Sequence, residues 1–262
     1  MNEITTRALS GILYVILLTS AMYYSAFAFY GLICLFACLA LWEFQRLIQF
    51  NHFLVPLTLM IVFLLSFLGL VPQSIIQILL FICILINAWV SYLCVFQKKP
   101  AFSFISKSII TAFYLIGSSL FIPLIMDFSV GTFPFLLLFF YGSIWMNNTF
   151  AYLIGSRFGK RKLFPAISPK KSWEGYWGGT IATLLFLFII ENQLKLFGNA
   201  WVAVGLGIPF FATLGDFVQS YFKRRANVKD SGTLFPGHGG FYDRMDSVIF
   251  TAPFYYLLLK II

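Results

Sequence analysis

Charged side chains are scarce in this sequence. Asp, Glu, Lys and Arg together make up 10% of its 262 residues, whereas a soluble domain carries about 25%. Apolar side chains make up 60% of the chain, and apolar runs of roughly 20 residues, long enough to cross a bilayer, recur along its whole length. This composition excludes a soluble globular domain. It predicts an all-α, polytopic integral membrane bundle that forms one compact unit.

The sequence also lacks internal repeats, low-complexity stretches and a small-residue cleavage site after its first apolar segment. We therefore expect an uncleaved first helix rather than a signal peptide. The four cysteines, Cys34, Cys38, Cys83 and Cys94, all lie in apolar runs, where Cys behaves as a small hydrophobe, so we expect no disulfides. Cys34 and Cys38 lie one helical turn apart, but no third metal ligand lies near them in sequence, which favours packing over a metal site.

Nine apolar segments predict nine transmembrane helices. Their predicted ranges are 8–25, 27–49, 53–71, 74–96, 103–126, 132–155, 174–193, 199–222 and 244–262. We expect an N-terminal region, residues 1–130, that holds the first five helices and no recognised motif. A C-terminal region, residues 131–262, would hold the polar loops 156–173 and 223–243.

Positive charge is distributed unevenly over these segments. With nine crossings, every Lys and Arg except Lys195 and Lys260 lies on one side of the membrane. Cytoplasmic loops carry such an excess of cations. We therefore expect the N-terminus and the basic loops in the cytoplasm, and the C-terminus on the opposite side of a cell inner membrane. This distribution accounts for the formal net charge of +9, and we expect no nucleic-acid partner.

The stretch Ser220 to Ser247 is the polar island of the chain. Its charged residues are five cations and three carboxylates: Lys223, Arg224, Arg225, Lys229, Arg244, Asp230, Asp243 and Asp246. His238 lies among glycines, at which the backbone can take positive φ and approach a ligand closely. Lys and Arg hold phosphate oxygens, Gly-rich backbone presents N–H groups, and Asp oxygens hold Mg²⁺. The island therefore suits a polyphosphate together with its metal.

This stretch resembles the signature of the phosphatidate cytidylyltransferases, also called CDP-diacylglycerol synthases. The signature positions are filled at the family's spacing by Ser220, Phe222, Lys223, Arg224, Lys229, Asp230, Gly232, Phe235, Pro236, His238, Gly239, Gly240, Phe241, Asp243, Arg244, Met245 and Asp246. A basic loop that only touches lipid headgroups needs charge, but it does not need H-G-G and D-R-x-D in register. The length of the match therefore favours the family.

A second stretch, Ile144 to Gly179, is similar to the bacterial members of the same family. The matching residues are Thr149, Ala151, Tyr152, Gly155, Phe158, Gly159, Lys160, Ser168, Pro169, Lys170, Lys171, Ser172, Glu174 and Gly175. Two positions depart from the family. Asn148 stands where the family usually has Asp, and Gln219 stands where it usually has Glu. Asn148 keeps an oxygen ligand but loses the charge, so either the position is not an essential metal ligand or the metal binds more weakly there.

Some residues of the second stretch also have plainer interpretations. Ser172 is placed to cap the seventh helix, and Glu174 in its first turn complements the helix dipole without any catalytic duty. Lys160, Arg161 and Lys162 suit contacts with anionic headgroups.

Three aspartates are the candidate metal ligands. Asp216 lies inside the eighth predicted helix, one turn before Ser220, and a carboxylate at membrane depth is costly and therefore a functional hypothesis by default. Asp243 and Asp246 are spaced i, i+3 at the start of the last helix, so they share one face. We expect Asp216 and Asp243 to hold a divalent cation between two helices. Asp246 would either bind the cation as well or support the residues that bind it.

The resemblance implies a reaction and its partners. Phosphatidic acid in the cytoplasmic leaflet would attack the α-phosphorus of CTP, giving CDP-diacylglycerol and pyrophosphate. The cofactors would be Mg²⁺ and a K⁺ that shares its site, and the assembly would be a homodimer. The implied catalytic residues are Asp216, Asp243, Asp246, Lys229, Arg244 and His238. The implied substrate-binding residues are Lys170, Lys171, Ser172, Ser220, Lys223, Arg224, Gly239 and Gly240.

Two alternatives stay open at this point. The first is the same chemistry on another lipid phosphate, such as an ether-linked or polyprenyl substrate, and the lipid that supports turnover would distinguish it. The second is a non-catalytic membrane protein or transporter that binds anionic lipid through its basic loops. It predicts that no pyrophosphate is released.

Overall fold

The computed structural model describes residues 3–50, 52, 54–128, 134–232 and 239–262, and for residues 3–10 it describes the backbone only. The helices are α1 (Glu3–Tyr24), α2 (Ala26–Leu47), α3 (Leu54–Phe67), α4 (Gln73–Val95), α5 (Phe104–Ile109), α6 (Ser118–Leu124), α7 (Phe135–Phe158), α8 (Trp173–Leu194), α9 (Trp201–Arg225) and α10 (Tyr242–Ile261). A π-helix, Ile110–Gly117, joins α5 to α6, and a 3₁₀ turn, Ile125–Phe128, follows α6. These four pieces form one continuous helical segment.

Nine helical segments in the described part of the chain therefore lie close to the nine predicted ranges. Several ends differ. α3 ends at Phe67, before the predicted residue 71, while α7 continues to Phe158 and α9 to Arg225, beyond the predicted residues 155 and 222. The cations at 223–225 consequently lie on the last turn of a helix, where positive charge complements the helix dipole.

Five of the described segments are long and apolar enough to cross a membrane, as judged by length and composition: Ala26–Leu47, Gln73–Val95, Phe104–Phe128, Trp173–Leu194 and Gly198–Arg225. Gly11–Tyr24 and Leu54–Phe67 are shorter apolar helices. Large apolar side chains such as Leu57, Phe81 and Ile189 are exposed on the outer surface, as expected where a protein faces lipid. The predicted all-α membrane bundle is confirmed, and nine crossings remain a prediction.

Serine side chains start three of the helices. Ser25, Ser103 and Ser172 precede α2, α5 and α8, and each accepts a hydrogen bond from a backbone N–H three residues further on. Such a cap satisfies one of the amides that a helix N-terminus leaves unpaired and stabilises the helix by about 1 kcal/mol. The predicted capping role of Ser172 is therefore confirmed, with its hydroxyl 3.2 Å from the Gly175 nitrogen.

Glycines bring α7 and α8 close together. A Cβ atom added at Gly175 would lie 2.7 Å from the Ala151 carbonyl oxygen, and one added at Gly179 would lie 2.6 Å from the Asn147 carbonyl oxygen. Small residues allow such backbone approach between membrane helices. The first turns of α8 are thereby held against the polar half of α7.

A short antiparallel hairpin precedes α8. Strands β1 (Lys162–Phe164) and β2 (Ser168–Ser172) pair with Lys162 opposite Ser172 and Phe164 opposite Ser168. Ile167 in the turn is buried, and the Phe164 ring lies 5.6 Å from that of Phe217 on α9. Paired strands are not expected in the predicted all-α fold, so this hairpin is an addition to it.

Helices α9 and α10 pack at another glycine. A Cβ atom at Gly215 would lie 2.7 Å from Cβ of Phe250, so the two helices approach closely beside Asp216. The π-helix also reaches α10, because the hydroxyls of Tyr114 and Tyr242 lie 2.5 Å apart in the core. Both α9 and the π-helix therefore contact the first half of α10.

The predicted orientation can be checked by labelling cysteines in intact spheroplasts. Lys99 and Asn199 are exposed. The predicted topology places Lys99, in the connection after the fourth helix, and Asn199, at the start of the eighth helix, on opposite sides of the membrane. In a background without native cysteines, a membrane-impermeant maleimide should label Asn199→Cys but not Lys99→Cys, and both should react after lysis. Labelling of Lys99→Cys in unbroken spheroplasts would contradict the orientation.

Candidate active site

Two cavities meet near the start of α10. The larger, of about 670 Å³, lies among α7, the hairpin, α8, α9 and α10. The smaller, of about 360 Å³, lies among α1, α7 and α10. Four residues line both cavities: Asn148, Asp243, Asp246 and Ser247. Half of the fourteen predicted site residues line one or both cavities, namely Lys170, Lys171, Ser172, Asp216, Asp243, Arg244 and Asp246.

Asp243 accepts hydrogen bonds from three parts of the chain. Its Oδ1 accepts from the Lys223 ammonium at 2.6 Å and from the Gln219 amide at 2.7 Å, both on α9. Its Oδ2 accepts from the Ser231 amide, the Ser231 hydroxyl and the Gly240 amide, each at 2.9 Å. An ionised carboxylate offers about four lone-pair sites. Asp243 is therefore saturated with donors, and it ties the end of α9 to the α9–α10 loop (residues 226–241).

The ion pair between Lys223 and Asp243 is largely shielded, with 12% and 11% of the two side chains exposed. Breaking such a pair from one side leaves an uncompensated charge, which is strongly destabilising. Gln219, which is 1% exposed, adds a neutral donor to this pair. Its amide N–H donates to Asp243, whereas a carboxylate at the same place would face a second carboxylate at hydrogen-bonding distance.

Asp216 faces the larger cavity from α9 and pairs with a lysine of the hairpin. The Lys171 ammonium lies 2.5 Å from Asp216 Oδ2, and it also lies 4.7 Å from the centroid of the Phe217 ring. The Ser220 hydroxyl lies 3.4 Å from Asp216 Oδ1. About a third of each charged side chain is exposed, so water screens this pair more than the one at Asp243.

Asp246 is the most buried of the three aspartates, at 8% exposure. Its Oδ1 accepts from the Ser247 amide at 2.5 Å. Because Asp243 and Asp246 both line both cavities, the predicted common face is confirmed. Arg244, between them in sequence, lines the smaller cavity.

Some of the other predicted residues lie at the cavities and others do not. Lys170 and Ser172 line the larger cavity, while Gly239 takes a φ of +83°, a conformation that favours glycine. Lys229 is exposed and lines neither cavity, and His238 lies outside the described residues.

Two further residues have structural partners where a substrate role was predicted or considered. The Arg224 guanidinium donates to the Ile167 and Val228 carbonyl oxygens, so it holds the hairpin turn and the end of α9. Glu174 accepts from the Lys160 and Arg161 amides. Glu174 lies in the first turn of α8, as its plainer interpretation predicted, and its contact with the two amides was not predicted.

Glu43 was missed by the sequence analysis. It lies on α2, is 1% exposed, and accepts from the Ser231 hydroxyl at 2.7 Å, the Phe241 amide at 2.8 Å and the Tyr242 amide at 2.9 Å. The available signal was a carboxylate in an otherwise apolar helix, which is the argument that singled out Asp216.

The donor set suits Mg²⁺, although no compact cage is built. Among the described residues, no group of three or more His, Cys, Asp or Glu is arranged to hold a metal ion. Mg²⁺ needs only one or two carboxylates in addition to water and substrate phosphates. Asp216 and Asp246 carry such oxygens on the wall of one cavity, and Asp243 on the same wall would bind a metal only by giving up some of its present donors. In the present arrangement the ammonium groups of two lysines neutralise Asp216 and Asp243.

Comparison with known proteins agrees with this chemistry. The model of the cytidylyltransferase family matches residues 5–262. A phosphatidate cytidylyltransferase of Staphylococcus epidermidis is 42% identical over 125 residues, which cover 47% of this chain and 48% of that protein. The enzyme of the same name from Bacillus subtilis is 43% identical over 120 residues, 45% of each chain. The one from Staphylococcus aureus is 43% identical over 118 residues, 44% of this chain and 45% of that protein.

These matches differ in extent. The chain spans about half the length of the curated relatives it matches, whereas the family model runs through nearly all of it. On that full-length match, the chain belongs to the cytidylyltransferase family.

Proposed function

We propose that this protein transfers the cytidylyl group of CTP to phosphatidic acid, giving CDP-diacylglycerol and pyrophosphate. The observation that carries the proposal is the shared wall of the two cavities. Asp243 and Asp246 of the signature lie on that wall, and Asp216 lines the larger cavity beside it. A lysine lies within 2.6 Å of Asp216 and of Asp243. Cations and carboxylates in one pocket suit phosphate groups that arrive with a metal.

The two substrates would enter from the two cavities. Lys162, Lys170 and Lys171 line the larger cavity, and its volume of about 670 Å³ lies within the range of small-molecule sites. We assign it to CTP. The smaller cavity has Tyr14, Trp145 and Arg244 on its walls, an aromatic surface with one cation, and we assign it to the phosphate end of the lipid. The reacting phosphates would then meet beside Asp243 and Asp246.

The chemistry is an in-line displacement. An oxygen of the lipid phosphate forms a bond to the α-phosphorus of CTP, and the bond from that phosphorus to the bridging oxygen of the β-phosphate breaks, so pyrophosphate leaves with the electron pair. The attacking phosphate is already anionic at neutral pH, so no strong general base is required. Such transfers depend on positioning and on neutralising charge.

We assign Mg²⁺ to Asp216 and Asp243, with Asp246 alongside, and K⁺ to the same site. A bound metal would neutralise part of the negative charge on the phosphates. Lys171, which now pairs with Asp216, lines the larger cavity and would hold a phosphate oxygen instead. Lys223 lines neither cavity, and its predicted phosphate contact rests on the sequence alone. Arg244 would hold the lipid phosphate, while His238 and Lys229 remain phosphate donors predicted from the sequence alone.

The membrane setting belongs to the same proposal. We infer an inner-membrane location with the basic loops in the cytoplasm, because CTP is a cytosolic nucleotide and nearly all cations fall on one predicted side. A homodimer is proposed from the resemblance. CTP and phosphatidic acid in the cytoplasmic leaflet would be the partners.

The reaction can be tested by pyrophosphate release from the purified protein in detergent. Release should require CTP, phosphatidic acid and Mg²⁺ together. Asp216→Asn should lower the rate by at least ~100-fold, because several kcal/mol of charge stabilisation at the transition state are lost. Asp216 is a cleaner test than Asp243, since it does not also hold the α9–α10 loop.

The matched control is Asp127→Asn, which makes the same chemical change on the exposed 3₁₀ turn after α6 and should retain wild-type turnover. Release without added lipid would argue for simple CTP hydrolysis. Folded wild-type protein that releases no pyrophosphate with any lipid phosphate would refute the proposal and favour an anionic-lipid-binding protein.

The departure at Asn148 gives a second test. Asn148 lines both cavities together with Asp243 and Asp246, so a carboxylate there would add a charged oxygen beside the proposed metal. Asn148→Asp should lower the Mg²⁺ concentration for half-maximal activity by about tenfold, equivalent to about 1.4 kcal/mol of added binding free energy. An unchanged Mg²⁺ dependence would show that the position is not a metal ligand.

A further inference from the structure

Glu43 connects the N-terminal half of the chain to the proposed active site. It lies on α2, in a region where the sequence has no recognised motif, yet its carboxylate reaches residues that lie 188 to 199 positions further along the chain. It is 1% exposed. A carboxylate so thoroughly buried is costly unless hydrogen bonds satisfy it, and its donors come from the signature stretch.

The first contact is with the N-terminus of α10. Phe241 is the N-cap residue of this helix, and no side-chain cap is formed by its own phenyl ring. The amides of Phe241 and Tyr242 donate to Glu43 Oε1 and Oε2 at 2.8 and 2.9 Å instead. Helix N-termini leave such amides unpaired, and negative charge near them is favourable. A side chain from α2 therefore caps the helix that carries Asp243.

The second contact passes through Ser231. Its hydroxyl lies 2.7 Å from Glu43 Oε2 and 2.9 Å from Asp243 Oδ2. A serine hydroxyl has one proton to donate, so it bridges the two carboxylates and serves one of them at a time. The Gly240 amide donates to Asp243, while the next two amides donate to Glu43. Three consecutive backbone amides, those of residues 240–242, therefore donate to the two carboxylates.

Two signature glycines make room for this arrangement. A Cβ atom added at Gly232 or at Gly240 would overlap the Glu43 carboxylate, and the one at Gly240 would also overlap the Ser231 hydroxyl. The approach of α2 therefore explains why the backbone has no side chains at these two positions.

We propose that Glu43 is a positioning residue for catalysis. Its carboxylate, fixed on α2, holds Ser231 and the first amides of α10, and through them it sets the place of Asp243 on the wall between the two cavities. Glu43 itself touches neither cavity. The inference rests on the proposed function for its catalytic part, whereas the ordering of the loop by Glu43 is independent of any activity.

The test compares Glu43→Gln with wild type in the full-length protein, purified in detergent. Gln keeps the shape of the side chain, but its –NH₂ group would face the donors that now point at a carboxylate oxygen. Hydrogen exchange of the peptide that covers residues 239–246 should become faster in the absence of substrate. The kcat should fall about 100-fold with little change in KM for CTP, because a displacement on the order of 1 Å at a reacting group costs that much.

Glu191→Gln is the matched control. Glu191 accepts from the Phe197 backbone amide at 2.8 Å, near the opposite end of α8 from Ser172, so the same chemical change removes a similar contact away from the site. We expect wild-type kcat and unchanged exchange at residues 239–246. Unchanged exchange in Glu43→Gln, or a kcat within twofold of wild type, would overturn the proposal, as would equal losses in both variants.

If Glu43→Gln does not fold, the variant Ser231→Ala tests the positioning role of Glu43 instead. It removes only the bridging hydroxyl from a loop residue, and it should raise exchange at residues 239–246 and lower kcat by about tenfold, or about 1.4 kcal/mol. Wild-type exchange and kcat in this variant would overturn the inference. If wild-type protein has no transferase activity, the proposed function fails by itself, and the exchange measurements still decide whether Glu43 orders the loop.

Discussion

The carboxylate of Asp243 is the interaction on which the rest of the site depends. It receives donors from Gln219 and Lys223 on α9, from Ser231 in the loop, and from Gly240 just before its own helix. Because both oxygens are engaged, the end of α9, the loop and the start of α10 cannot move independently. The place of the shared wall between the two cavities follows from this one anchor, and so does the direction in which Lys223 points.

Burial of charge at the end of an apolar bundle imposes a second constraint. Ionised groups removed from water must be paired or fully hydrogen-bonded, and Asp243 and Glu43 each have donors at both carboxylate oxygens. Asp243 has a lysine, a side-chain amide and two backbone amides, Glu43 has the first amides of α10, and the two share the Ser231 hydroxyl. The Ser247 amide donates to Oδ1 of Asp246. Asp216, which is more exposed, pairs with a single lysine. The exposed fraction of these carboxylates falls from Asp216 at the larger cavity to Asp246 and then to Glu43 in the core.

The sequence was informative where structure depends on local pattern. Apolar runs predicted the helical segments, and the position of Ser172 predicted a helix cap. Of the signature residues, Ser220, Lys223 and Gly240 contact Asp216 or Asp243. Arg224 instead holds the hairpin turn, and Lys229 lines neither cavity. The sequence was less informative where structure depends on distant contacts. The hairpin before α8 has strands of three and five residues in a basic segment, without a period-two apolar pattern. Glu43 acts across nearly 200 residues of chain, and its role follows only from the packing of α2 against α10.

The central claim is that the two cavities bring a lipid phosphate to the α-phosphorus of CTP. The most direct measurement uses CTP that carries radioactive phosphorus at the α-position, incubated with purified protein, Mg²⁺ and phosphatidic acid, followed by separation of lipid from water-soluble products. The account predicts that the label moves into the lipid fraction as a cytidine-containing lipid, in amounts equal to the pyrophosphate released. Label that stays in the aqueous phase, whether in CTP or in its hydrolysis products, would contradict it.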